Sequence, residues 1–130
     1  MIEQYIYDRI TADPTLQGLL SDGNGGYLLY PNVVPREGTI EKAITFTTIA
    51  TIDVYPAAES VNVQFNIFSK THTEAAQITQ ALADIFNEDN NQTAGGIQVV
   101  YSQRKSQSDL GKDRDDDLYQ REATYYFKLR

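Results

Sequence analysis

The stretch from Ser60 to Phe86 constrains this chain more than any other. Val61, Val63, Phe65 and Ile67 alternate with Asn62, Gln64 and Asn66, the period-two pattern of a strand with one face on a core. Directly after it, Thr71-His72-Thr73-Glu74 has the form of a capping box, in which the threonine hydroxyl and the glutamate carboxylate take up orphan amides at a helix start. The spacing then predicts a helix to about Asn87, with Ala75, Ile78, Leu82, Ile85 and Phe86 on one stripe and Gln77, Gln80 and Asp84 off it. A strand and a helix that are each apolar on one side must bury those sides together, so the unit specifies an α+β fold.

The flanking segments extend that reading. Ile2, Ile6, Arg9 and Ile10, joined by Tyr5, stand at helical spacing, and Asp13-Pro14 reads as an N-cap with proline at the first position of a second helix carrying Leu16, Leu19 and Leu20. Ser21 to Gly26 is a glycine-rich loop. It lacks the lysine, the spacing and the preceding strand of a phosphate-binding loop. Tyr27 to Tyr30 is a short apolar piece ended by Pro31, Pro35 makes the next stretch an extended connection, and Lys42 to Asp53 is β-branched enough for a strand. Glu88 to Gln92 and Gly95-Gly96 are expected to be loop, Ile97 to Tyr101 a strand, and Leu118 to Leu129 a strand with Tyr119, Ala123, Tyr125, Phe127 and Leu129 on one face. Between the last two lies Arg104 to Asp117, almost wholly polar, which predicts a projecting C-terminal β-hairpin with a long loop. The expected whole is one α+β domain over residues 1–130, an antiparallel or mixed sheet with helices packed on one face.

Chemistry has few places to reside. The chain has no cysteine and one histidine, His72, which falls in the first turn of the predicted helix, so nitrogen and sulfur metal sites are all but excluded and a catalytic base would lack partners. Asp113, Asp115 and Asp117 alternate like the opening of a calcium loop, but Leu118 stands where that loop needs glycine and Thr124 where it needs a bidentate glutamate. No serine lies in a Gly-x-Ser-x-Gly elbow. The expectation is no enzyme, no cofactor and no metal. With 11 basic and 18 acidic residues, the net charge of −7 has the wrong sign for binding phosphate backbones, and Arg104-Lys105 is the only adjacent basic pair. The first residues carry neither a basic start nor an apolar run, and no stretch approaches the roughly 20 apolar residues that span a bilayer. A soluble protein made inside the cell is expected, with no membrane partner.

The order of these pieces resembles a known family. A short N-terminal helix, Asp13-Pro14 leading into a leucine-rich turn, a glycine-containing loop ending in Tyr30-Pro31, the strand Val61 to Ser69, and a threonine-rich cap on an alanine-rich helix together look like the small tail-terminator, or tail-completion, proteins of long-tailed phages and prophages. The resemblance implies a structural protein of the virion tail, assembled in the host cytoplasm. It would cap the tail tube as a hexameric ring and bind the major tail tube protein and the head–tail connector, with DNA passing through the ring and no specific nucleic-acid contact. By the same resemblance, Arg104, Lys105, Asp113, Asp115, Asp116 and Asp117 are candidates for an interaction or lumen loop, where acidic side chains would repel passing DNA. Phe68, on the polar side of its strand, is the candidate exposed strand-edge contact. The alternative from another class is a monomeric adaptor or ligand-binding α+β domain.

Overall fold

A computed structural model of the chain describes residues 2–32, 41–50, 59–112 and 117–129. Helices α1 (Ile2–Ala12), α2 (Pro14–Leu20) and α3 (His72–Phe86) accompany strands β1 (Leu29–Pro31), β2 (Lys42–Ala50), β3 (Glu59–Ser69), β4 (Asp89–Ala94), β5 (Ile97–Lys112) and β6 (Tyr119–Leu129). The strands form one six-stranded sheet in the order β1-β2-β3-β6-β5-β4. Only β1 and β2 run parallel, so the sheet is mixed.

The helix starts follow their sequence signals. Asp13 is the N-cap of α2, its carboxylate accepting the Leu16 amide, and Pro14 opens the helix. At α3, Thr71 Oγ1 accepts the Glu74 amide as the capping box requires. The other half of the box is replaced. The Thr71 amide goes to Ser69 Oγ, while the Glu74 carboxylate accepts the Ser69 hydroxyl and faces Lys42 Nζ at 3.6 Å. Ser69 is fully buried at the end of β3, so the strand end and helix start share one hydrogen-bonded joint.

The core lies between the helices and one face of the sheet. Val61, Val63, Phe65 and Ile67 of β3 are buried there, as the alternation requires, with Ile44 and Phe46 of β2 and Ala123, Tyr125 and Phe127 of β6. Against them pack Tyr5, Ile6, Ile10, Leu16, Leu20, Ile78, Leu82 and Phe86. Phe86 is the aromatic centre, stacked on Phe65 at 5.8 Å and edge-on to Phe127 at 5.4 Å. Arg9 closes one end: its guanidinium bonds to Asp89 at 2.7 Å, to the Tyr5 hydroxyl at 2.8 Å and to the Ile85 carbonyl, linking α1, the end of α3 and β4. At helical spacing Arg9 reads as the edge of an apolar stripe; in the fold it is a polar staple over that edge.

Two polar segments expected to be loop are strand. Asp89–Ala94 pairs with the first part of β5 through a turn made of Gly95 and Gly96, whose φ values are +55° and +75°, the left-handed pair that a two-residue hairpin demands. A Cβ on Gly95 would also fall within 2.9 Å of the α1 backbone at Gln4 and Tyr5. Arg104 to Lys112 likewise continues β5 rather than forming a free loop. Propensity misjudges both because their strand state comes from a partner's ladder, not from their own side chains. The C-terminal hairpin is present, but β6 is zipped to β3 along its whole length, from Glu59↔Leu129 to Ser69↔Tyr119. Its strands therefore lie in the sheet as far as their last pair, Lys112↔Tyr119.

Candidate assembly edge

β4 reaches only as far as Ser102 along β5. From Gln103 to Lys112, β5 bonds to β6 on one side and has no strand on the other among the described residues. The first open amide, that of Arg104, is taken by Asn87 Oδ1 at 3.1 Å. The register between β5 and β6 shifts between Val99 and Tyr101, between Arg104 and Ser106, and between Asp109 and Gly111. Such bulges bend an edge and re-aim its side chains, so this half of β5 departs from the flat template that invites unspecific pairing.

The last bulge is built around Asp109. One carboxylate oxygen accepts the Gly111 amide at 3.0 Å, and the other lies 2.8 Å from His72 Nε2 and 3.6 Å from Arg121. The Tyr119 ring stands edge-on to His72 at 5.7 Å. The hydrogen bond from His72, then that from Gly111, holds the Asp109 carboxyl below the usual carboxylate range. Gly111 adopts φ +77°, which the bulge requires. His72, read from sequence as a first-turn residue without partners, thus has one from 37 positions away, and it docks the start of α3 onto β5. What this arrangement does is clamp a bulge: one carboxylate ties together the His72 ring, the Gly111 amide and, at ion-pair distance, the Arg121 guanidinium.

The candidate residues fall in different places. Arg104 stands opposite Tyr125, and its guanidinium bonds to Gln107 at 2.9 Å. Lys105 instead lies over the Tyr126 ring at 5.1 Å, so the bulge sends these neighbours apart. Asp117 is exposed with φ +57° and pairs with Lys112 at 2.7 Å. That contact lowers the Asp117 carboxyl and raises the Lys112 ammonium relative to their ordinary values. Asp113, Asp115 and Asp116 lie outside the described residues. Phe68 is not on an edge: β3 is flanked by β2 and β6, and Phe68 sits half-buried between Ala43 and Gln120 on the face away from the helices. Its strand is interior because all eleven residues find register with β6 and nine of them with β2. Sequence reasoning passed over Asp109 and Leu110, for which the available signal was one leucine before a glycine in a polar run.

Set against known proteins, the chain matches no family model and no curated protein. Five chains of solved structures do match it. One, from the virion of a native gene transfer agent (GTA) particle, superposes with a TM-score of 0.71 over 95% of this chain and 90% of that one, at 12% sequence identity. At that identity the likeness is one of fold, and it runs over nearly the whole chain.

Proposed function

We propose that this chain is a non-enzymatic structural protein of a phage-type virion, which caps the tail tube as a hexameric ring and joins it to the head–tail connector. The observation that carries this reading is the shared fold, over 95% of the chain, with a chain that is part of a virion particle. The family resemblance of the N-terminal helices and of the Val61 to Phe86 unit points the same way. Two physical features support it. An unpaired, bulged strand half on one side of the sheet suits contact with another chain, and a net charge of −7 disfavours adhesion to DNA passing nearby.

In this reading the loop that carries Asp117 faces the lumen or a tail partner, and Lys112 holds Asp117. Deleting the gene for this chain in cells that make the particle should leave filled heads and finished tail tubes that fail to join, as seen by electron microscopy. Intact, infectious particles from the deletion strain would show the reading to be wrong.

A further inference from the structure

The glycine-rich loop between α2 and β1 lacks the marks of a phosphate site, yet its hydrogen bonding singles out one peptide unit. Residues 21–25 are exposed, and the loop is closed at its base by the Asp22 amide, which donates to the Gly26 carbonyl, and by a bridge between Ser21 and Tyr27. The donors inside it are nearly all taken. The Gly23 amide goes to Ser21 Oγ at 3.3 Å, and the Asn24 and Gly26 amides both go to Asp22 Oδ1, at 2.7 and 3.0 Å, the local bonding that serine and aspartate supply in turns. Gly25 is the exception: of the amides from Gly23 to Gly26, its amide alone has no acceptor among the described residues.

The residue before that free amide is an asparagine. Asn24-Gly25 is the one Asn-Gly pair in the chain. Asn24 is exposed, and its side-chain amide has no partner among the described residues. Gly25 adopts φ +85°, and a Cβ built on it would meet nothing within 4 Å, so the space around this peptide unit is open. Without a side chain of its own, glycine leaves its nitrogen unshielded. A solvated nitrogen thus stands next to an unheld amide carbon, at the separation that closes a five-membered ring.

We propose that Asn24 is a site of spontaneous deamidation. The Gly25 nitrogen, having given its proton to hydroxide, bonds to Asn24 Cγ; the Cγ–Nδ2 bond breaks and ammonia leaves, taking its third proton from water. Water then opens the resulting succinimide at one of its two carbonyls. Breaking the new bond gives aspartate, and breaking the original peptide bond gives isoaspartate. Water and hydroxide are the only co-reactants. The neighbouring Asp22-Gly23 pair is held back, since the Gly23 amide is engaged by Ser21 and the Asp22 carboxylate by two amides. Either product adds a negative charge to the net −7 and sets it beside Asp22, and isoaspartate also lengthens the main chain by one carbon between the two amides that Asp22 holds. The inference stands apart from the virion reading.

Peptide mapping by mass spectrometry tests it on the folded chain aged in mildly alkaline buffer. The mass gain from amide to acid should build up at Asn24 ahead of every other asparagine, with part of the product accepting a methyl group from an isoaspartate-specific methyltransferase. Conversion should quicken as pH rises, because the attacking nitrogen must lose its proton. Gly25→Ala should slow conversion by on the order of tenfold, since its methyl group shields the nitrogen. Asn24→Gln keeps the amide but demands a larger ring, so it should stay intact over the same period without strain at Gly25. Asn24 remaining intact in the folded chain while the urea-unfolded chain reacts there, equal conversion at the other asparagines, or isoaspartate centred on Asp22 would each overturn the proposal.

Discussion

The two halves of β5 are one strand by hydrogen bonding and two different surfaces by environment. Residues 97–102 lie between β4 and β6, bury Val99 and Ser102, and are tied to the end of α3 by the Ser102 hydroxyl, which donates to the Phe86 carbonyl at 2.7 Å. Residues 103–112 have one neighbouring strand among the described residues, four kinds of charge-bearing or amide side chain (Gln, Arg, Lys and Asp) in place of Val and Tyr, and no buried side chain. The first half is a strand because its side chains pack. The second is a strand because β6 holds it, and it is free to meet something else. A packed stretch and an unpaired stretch are thus consecutive parts of a single element.

The largest expected effect tests the packed half. Phe86→Ala removes the ring that touches Phe65, Tyr125 and Phe127 and should cost about 3–5 kcal/mol in chemical denaturation. Ser108→Ala, in the open half, should stay within about 0.5 kcal/mol, and a loss of similar size there would break the comparison. Next comes Arg9→Met, which leaves Asp89 about four-fifths buried without its partner and should cost about 1–3 kcal/mol. An Asp89→Asn background should recover part of that loss if the pair acts as one staple.

A pH experiment sharpens the same contrast. Tyr125 is fully enclosed, its hydroxyl has no hydrogen-bond partner among the described residues, and burial pushes its pKa up to about 12. An unfolded tyrosine ionises near 10. The raised folded value means that the contribution from neutral Tyr125 is whole below pH 10 and is lost as pH rises through 12. Tyr125→Phe should therefore match or exceed wild-type stability at neutral pH and lose less between pH 10 and 12, as denaturation midpoints across that range would show. The smallest effect concerns the open half. By NMR titration the Asp109 carboxyl should ionise below the ordinary aspartate range, and in His72→Ala it should move back up with little change in melting temperature. An unmoved Asp109 would remove His72 from the clamp.

Legibility followed the same divide. The Val61 to Phe86 unit, the Asp13-Pro14 cap and the alternation of Ala123, Tyr125 and Phe127 could be read directly, because burial on one face imposes a period that survives in sequence. β4 and the second half of β5 could not, since Asp89-Asn90-Asn91 and Ser106-Gln107-Ser108 are turn-like by composition and become strand only through a ladder with residues elsewhere. The capping box was half legible: Thr71 does its part locally, but Glu74 answers to Ser69 and Lys42 across the joint. Phe68 misled because alternation reports which face a residue occupies and says nothing about whether its strand is outermost. Of the candidate contact surface, Arg104 and Lys105 were visible as a charged pair, whereas the Asp109 clamp depends on His72 and Arg121, both remote in sequence.

The central proposal is that this chain is a component of the virion at the point where tail meets head. Its most direct test is electron microscopy of purified particles carrying a gold-labelled tag on this chain. The account predicts a single cluster of label at the head–tail junction of each particle. Label spread along the whole tail, confined to the distal tip, or absent from purified particles would contradict it.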